Sequence, residues 1–169
     1  MLQFVLGIGM LSLLVALFLS LYILKKPAGN AKMQEISEII HRGALTFLHK
    51  EYEVMAIFLI AVALALFFLL ENGSKLAVSF VIGGISSALA GNIGMRIATK
   101  ANARTTEAAK VHIGEGLKIA FYSGSVMGLS VVGIGLLGIS VLYLVFDEPN
   151  ALYGFGFGAA VDAVADRRV

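Results

Sequence analysis

Long apolar stretches alternate with polar segments along this chain. The apolar stretches lie at about residues 3–24, 54–70, 76–94 and 119–146, and a helix needs roughly 17–25 apolar residues to cross a bilayer. Lipid offers no partners to backbone N–H and C=O groups, so such stretches cross it as helices. The pattern predicts an all-α integral membrane protein with four transmembrane helices. It forms one helical domain over residues 1–169, and a fifth helix starts at about residue 153.

The first apolar stretch occupies the position of a secretion signal but lacks the basic segment with which such a signal begins. A signal peptide has a basic segment in front of a short apolar core. Here no Lys or Arg precedes the apolar residues, which are long enough to span a membrane and end at Lys25 and Lys26. We therefore expect the first helix to be retained.

Basic residues are concentrated in two of the connecting segments. Residues 25–53 and residues 95–118 carry five Lys or Arg each, whereas residues 71–75 carry one and residues 147–158 carry none. Loops rich in Lys and Arg stay on the cytoplasmic side of a membrane. The pattern predicts that both basic segments are cytoplasmic and that the N-terminus lies on the opposite, extracytoplasmic side.

Both basic segments are predicted to contain helix. Pro27 and Gly29 interrupt the chain, Asn30 is a favourable N-cap, and apolar residues then recur at helical spacing from Met33 to Phe47. Such a helix either lies on the membrane surface or extends the second span, and the unbroken helical pattern up to residue 54 favours the extension. The second basic segment is expected to be helical over residues 99–110.

Composition agrees with a protein solvated by lipid. Apolar residues make up 59% of the chain and charged residues 14%, against about 45–50% and about 25% in soluble domains. The absence of Cys excludes disulfides and cysteine-based metal or redox chemistry. A net charge of +2 is too small to favour nucleic acid as a partner, so the partner that the sequence predicts is the lipid bilayer.

Small residues recur at helical spacing in the third and fourth spans. In lipid, small residues allow two helix backbones to approach closely. We expect them to pack inside one protein, with a dimer face or a ligand path as alternatives. The residues concerned are Gly83, Ser87, Gly91, Gly124, Gly128, Gly135 and Gly138.

The interiors of the four predicted spans contain no ionisable residue. Glu71 and Lys118 lie at span ends, and charge at mid-depth is costly enough that proteins keep it for function. These spans alone are therefore a poor ion path, which disfavours a small channel or transporter. The polar residues inside them can bond to neighbouring helices; they include Ser86, Asn92, Ser125 and Ser130.

The histidines do not form a metal-binding pattern. His41 and His49 are eight residues apart with Glu38 and Glu53 nearby, and His112 is distant in sequence. A metal site needs at least three converging ligands. We expect these residues to belong to a solvated helix face.

Arg96, Lys100 and Arg104 recur four residues apart and form a basic stripe on a helix. Such a stripe can hold phosphates or anionic lipid headgroups. The interpretation that we favour is a solvated face that sets the topology.

Several stretches, in order, resemble the membrane-bound ion-pumping inorganic pyrophosphatases. They are Gly-Asn-Ala-Lys-Met-Gln-Glu-Ile at 29–36, Gly-Asn-Ile-Gly-Met-Arg-Ile-Ala-Thr-Lys-Ala-Asn-Ala-Arg-Thr at 91–105, Gly-Ser-Val-Met-Gly-Leu-Ser-Val-Val-Gly at 124–133 and Gly-Phe-Gly-Phe-Gly at 154–158. The resemblance covers about residues 25–159, and the first helix fits by position. It implies a multi-pass protein of a prokaryotic inner membrane and, for the whole protein, a homodimer. That whole protein would hydrolyse pyrophosphate with Mg²⁺ and move H⁺ or Na⁺.

After Gly158 the sequence departs from the family. The family continues into a Gly triplet and a Lys-Ala-Ala-Asp motif that begin its substrate site, whereas residues 159–169 read Ala-Ala-Val-Asp-Ala-Val-Ala-Asp-Arg-Arg-Val. We assign no catalytic, cofactor-binding or metal-ligating residue, and we do not expect Asp162 and Asp166 to bind a metal. The change indicates an interrupted gene, a frameshift or an incomplete gene sequence, with deliberate truncation as the alternative.

The resemblance thus predicts the N-terminal part of a pump that couples pyrophosphate hydrolysis to H⁺ or Na⁺ translocation. This part alone is expected to be inactive and to bind no Mg²⁺. The alternative is a non-catalytic four-helix membrane scaffold or assembly subunit. The residues present do not distinguish H⁺ from Na⁺ pumping or reveal any dependence on K⁺.

Overall fold

The computed structural model describes residues 2–70, 73–147 and 149–161, and these residues form five helices without a strand. The first four are long and apolar enough to cross a membrane, which confirms the predicted all-α fold with four spans. The side of the membrane on which each end lies stays a prediction. The helices are α1 Leu2–Leu24, α2 Ala31–Leu69, α3 Gly73–Val111, α4 Ile113–Phe146 and α5 Pro149–Ala159.

Helices α2 and α3 are much longer than a membrane requires. Each contains 39 residues, and at about 1.5 Å per residue each is roughly 58 Å long, nearly twice the hydrocarbon thickness. The first basic segment therefore extends the second span, as predicted, and the second basic segment continues α3 as far as Val111. Asn30 caps α2 as expected, because its side-chain oxygen accepts a hydrogen bond from the Met33 N–H at 3.0 Å.

The connections between helices are short and locally determined. Gly29 has a φ of +79°, a left-handed conformation that L side chains rarely adopt. His112 separates α3 from α4, and its Nδ1 accepts a hydrogen bond from the Gly114 N–H at 3.0 Å. Asp147, also left-handed, ends α4, and Pro149 then occupies the first position of α5, where a missing N–H costs no helical hydrogen bond.

Helix α3 lies at the centre of the bundle and packs against α2, α4 and α5, while α1 packs mainly against α4. Two clusters of buried apolar side chains result. One joins α1, α3 and α4 and the other joins α2, α3 and the residues after α5. The first consists of Ala16, Ile23, Ala101, Ile119 and Val126, and the second of Met55, Leu59, Phe80 and Val161.

The outer faces carry large apolar side chains, whereas several serines are buried. Phe4, Phe68 and Phe121 are more than 70% exposed, as expected where lipid surrounds the outer faces. Ser20 donates a hydrogen bond to Ala16 O at 2.8 Å and Ser130 to Val126 O at 2.7 Å. These two buried hydroxyl groups thus find partners within their own helices.

Of the polar residues that the sequence places inside the spans, Asn92, Ser125 and Ser130 form hydrogen bonds within their own helices. Ser125 donates to Phe121 O at 2.9 Å, and Asn92 accepts from Arg96 at 2.6 Å. The carbonyl four residues earlier is within reach of any helical serine, so no neighbouring helix is required.

The predicted close packing of small residues is found at some positions. A Cβ added at Gly83 would collide with the backbone carbonyl of Phe155, and one at Gly158 with that of Phe80. The backbones of α3 and α5 therefore touch. Gly124, Gly128 and Gly135 have no described atom within 4 Å of an added Cβ, so packing at these three positions stays a prediction.

Candidate functional site

The polar halves of α2 and α3, with the adjoining ends of α1 and α4, form what we call the basic end of the bundle. It consists of residues 24–53 and 95–118 and carries ten of the thirteen Lys and Arg residues. Its chemistry depends on which of these side chains are used to join helices and which are available to a ligand.

His41 joins α2 to α3. Its Nδ1 lies 2.7 Å from the Thr99 hydroxyl, and the neighbouring Ser37 hydroxyl donates to the Thr99 carbonyl at 3.2 Å. Thr99 is buried, and its hydroxyl lies 2.8 Å from the Met95 carbonyl. When the Thr99 proton bonds to that carbonyl, its oxygen accepts the Nδ1–H of His41. The prediction of a solvated face was therefore wrong for His41, whose side chain is only partly exposed.

His49 does lie on a solvated face, as predicted. It is 76% exposed, and its Nε2 is 3.3 Å from Glu53 on the next turn. The Lys50 ammonium donates to the other Glu53 oxygen at 2.8 Å. This hydrogen bond and the Lys50 charge lower the pKa of Glu53, with a smaller effect from His49. Glu53 is thus paired with basic side chains of its own helix.

Two other acids of the basic end are likewise paired with cations of their own helices. Glu38 pairs with Arg42 at 3.1 Å, and Glu107 pairs with Lys110 at 2.6 Å. Among residues 2–70, 73–147 and 149–161, no three His, Cys, Asp or Glu side chains come together in a way that could hold a metal ion. This part of the chain therefore does not fit a Mg²⁺ site. Asp162 and Asp166 lie outside the described residues.

The basic stripe is divided by the fold. Arg96 and Lys100 are exposed, as predicted for a solvated face. Arg104 instead points towards the end of α1, where its guanidinium donates to the Leu24 carbonyl at 3.3 Å and to the Lys100 carbonyl at 2.7 Å. The prediction was wrong for Arg104 because the last carbonyls of α1 lack helical partners and carry partial negative charge. The Arg104 guanidinium donates a hydrogen bond to one of these carbonyls and brings a positive charge close to them.

Two lysine–tyrosine pairs meet where α1 packs against α4. The Lys26 ammonium lies 4.8 Å from the centre of the Tyr22 ring, and the Lys118 ammonium lies 6.0 Å from that of Tyr122. The two tyrosine rings are in edge-to-face contact with centres 5.6 Å apart. In the sequence, a Lys and a Tyr are four residues apart at the end of α1 and again near the start of α4. The spacing could not show that the two pairs lie next to each other.

Two cavities open beside α3, and neither has a charged lining. One, of about 400 Å³, lies between α2 and α3 and is largely apolar. The other, of about 390 Å³, lies between α3 and α4 among alanines and the polar side chains of Asn102, Thr105, Thr106 and Ser123. No Asp, Glu, His, Lys or Arg lines either cavity.

Four long apolar helices, apolar outer faces and a basic end together define a multi-pass helical integral membrane protein. A sequence model of the family described as "Inorganic H+ pyrophosphatase" matches residues 10–168. The chain belongs to that family. The matched region includes most of the first helix and also residues 159–168, where the sequence analysis placed a departure from the family.

Pyrophosphate-energised pumps are among its relatives. The chain is 44% identical over 153 residues to the K(+)-insensitive pyrophosphate-energized proton pump of Methanosarcina mazei; this covers 90% of the chain and 23% of that protein. It is 44% identical over 160 residues to the putative K(+)-stimulated pyrophosphate-energized sodium pump of Clostridium tetani, covering 94% and 24%. The chain thus spans about a quarter of the length of these relatives.

Proposed function

We propose that this chain is the N-terminal part of a membrane pump that couples pyrophosphate hydrolysis to the translocation of H⁺ or Na⁺. The observation that carries the proposal is the family match over residues 10–168 together with four membrane-crossing helices. Relatives named as proton and sodium pumps are equally similar at 44% identity, so identity in this region does not favour either ion.

Within the pump, we propose that residues 2–161 act as a scaffold. Their spans hold no ionisable group at mid-depth, where an ion relay would require one. Their described acids form no metal-binding group, although metal ions normally neutralise charge on the phosphates in phosphoryl transfer. Pyrophosphate, Mg²⁺ and the moving ion would therefore bind in the remainder of the pump, and homodimerisation would likewise be a property of the whole protein.

A chimaeric pump tests this proposal. Residues 10–158 of this chain would replace the matching region of the Methanosarcina mazei proton pump, and Mg²⁺-dependent pyrophosphate hydrolysis would be measured in membranes. We expect the chimaera to hydrolyse pyrophosphate, because a scaffold needs the right packing surfaces rather than particular reacting groups. A chimaera that inserts at normal levels and hydrolyses no pyrophosphate would contradict the proposal.

The chain by itself provides the complementary measurement. Purified in detergent and reconstituted into liposomes, it should hydrolyse no pyrophosphate with Mg²⁺ and should carry no H⁺ or Na⁺ current. Hydrolysis above that of protein-free liposomes would show that a catalytic centre lies within these residues, and the scaffold role would then have to be abandoned.

A further inference from the structure

The two lysine–tyrosine pairs form a single patch across the contact between α1 and α4. Each ammonium lies near the ring of the tyrosine four residues away in sequence, at 4.8 Å for Lys26, which follows the end of α1, and at 6.0 Å for Lys118 in α4. The two rings touch at 5.6 Å with an interplanar angle of 69°. We call Tyr22, Lys26, Lys118 and Tyr122 the lysine–tyrosine patch.

The position of the patch at the ends of apolar helix segments indicates the depth of a membrane–water interface. Tyr22 belongs to the last turns of the apolar helix α1, and Lys25 and Lys26 follow it directly. On α4 the order is reversed, because Lys118 precedes the apolar span and Tyr122 lies one turn inside it. In both helices the tyrosine is therefore on the apolar side of its lysine, and tyrosines prefer the headgroup level of a bilayer.

The lysines of the patch differ from three other lysines of the basic end. Lys32, Lys50 and Lys110 each form an ion pair with a glutamate three residues away. No acidic side chain within the described ranges pairs with Lys26 or Lys118, and Glu115, three residues before Lys118, forms no ion pair with it. The positive charge of the patch is thus not neutralised by the described part of the protein.

Nearby cations add to this charge. The Arg104 guanidinium bonds to the Leu24 carbonyl, two residues before Lys26, and Lys25 is exposed. These groups offset the partial negative charge of the α1 C-terminus, which is equivalent to roughly half an elementary charge. Lys25, Lys26 and Arg104 together carry more positive charge than is needed to offset this half charge. Neutralising the helix dipole therefore does not account for all three.

We propose that the lysine–tyrosine patch binds the phosphate of an anionic phospholipid such as phosphatidylglycerol. The lysine ammonium groups would pair with the phosphodiester oxygens, and the tyrosine hydroxyls would face the headgroup while their rings contact the acyl chains. Charge complementarity and interfacial depth favour a lipid over a soluble phosphate, because only a lipid satisfies both the cations and the apolar ring faces. A bound lipid would join α1 to α4 from the membrane side. This inference is independent of the proposed pump function.

Native mass spectrometry of the purified chain tests it. Binding of phosphatidylglycerol and of phosphatidylcholine would be titrated in the wild type, in Lys26→Gln/Lys118→Gln and in the control Lys32→Gln/Lys110→Gln. Both variants lose two positive charges, but the control lysines are already paired with Glu35 and Glu107. Each basic residue near an anionic lipid contributes about a fivefold gain in affinity.

We expect phosphatidylglycerol affinity to fall by about 25-fold in the patch variant and by less than twofold in the control, while phosphatidylcholine binding stays unchanged. An equal loss in both variants would overturn the proposal in favour of a diffuse surface charge. Displacement of the lipid by millimolar inorganic phosphate would overturn it in favour of a soluble ligand. Should the patch variant fail to fold, a wild type without preference for phosphatidylglycerol over phosphatidylcholine would overturn it equally.

Discussion

At the scale of single residues, the basic end uses its cations in three different ways. Some are paired with acids one turn away, as Lys50 is with Glu53. Arg104 is turned inward to the carbonyl of Leu24. Lys26 lies over a tyrosine ring. The positive-inside rule counts all of them alike, but each has a different environment and so a different expected response to mutation.

Arg104 should stabilise the fold more than the neighbouring cation of the same stripe. Arg104→Met removes the hydrogen bond to Leu24 and leaves its carbonyl without that partner, which should lower the free energy of unfolding by about 1–3 kcal/mol. Lys100→Met removes the same charge from an exposed position and should change it by less than about 0.5 kcal/mol. Thermal unfolding in detergent measures both, and equal destabilisation would contradict the assigned role of Arg104.

The Glu53 carboxyl should respond to the loss of Lys50. The Lys50 hydrogen bond and charge lower the pKa of Glu53, so the Lys50→Gln variant should raise that pKa towards its ordinary value. A lowered carboxyl pKa means that this pair supports the fold above the ordinary glutamate pKa and that its support is lost as pH falls through the lowered value. NMR titration of the side-chain carboxyl measures the shift. Lys32→Gln, on a distant turn, should leave it unchanged.

At the scale of helices, close backbone contact holds α5 against α3. Gly154 and Gly158 of α5 lie close to the backbone carbonyls of Leu76 and Phe80 on α3, respectively. Gly83 of α3 in turn lies close to the backbone carbonyl of Phe155 on α5. Small residues at this spacing are the usual means by which helices associate in lipid, where apolar side chains gain little by leaving one apolar medium for another. The position of α5 therefore depends on shape more than on apolar burial.

Enlarging Gly158 should release α5. Gly158→Leu places a side chain where the Phe80 carbonyl lies, and overpacking of this kind costs about 1–3 kcal/mol. Hydrogen exchange should increase over residues 149–161 and stay unchanged in α1. Gly156→Ala is the matched control, because an added Cβ there meets no described atom within 4 Å. Protection of α5 that survives Gly158→Leu would contradict this account of the contact.

Much of each helix could be predicted from sequence, whereas the contacts between helices could not. Apolar length and the Asn30 N-cap are local signals, and they indicated the spans and the continuous α2 correctly. The bonds of His41 to Thr99 and of Arg104 to Leu24 join residues 58 and 80 positions apart. Such pairs depend on which helices become neighbours and at what rotation, and hydrophobic periodicity contains neither quantity.

At the scale of the whole molecule, the described part is a helical bundle whose outer faces are apolar and whose polar chemistry lies at one end. Its family match extends over residues 10–168, while its length is about a quarter of the pumps it resembles. The exposed glycine face of α4, at Gly124 and Gly128, has no described neighbour. These features agree with the proposed role as a supporting bundle.

The most direct test of this account is ion uptake driven by pyrophosphate in the chimaera described above. Inverted membrane vesicles holding the Methanosarcina mazei proton pump with residues 10–158 of this chain would receive pyrophosphate and Mg²⁺, and lumenal acidification would be followed with a fluorescent dye. The account predicts acidification that requires pyrophosphate and that stops with a protonophore. Vesicles in which the chimaera is correctly inserted but neither hydrolyses pyrophosphate nor acidifies the lumen would contradict it.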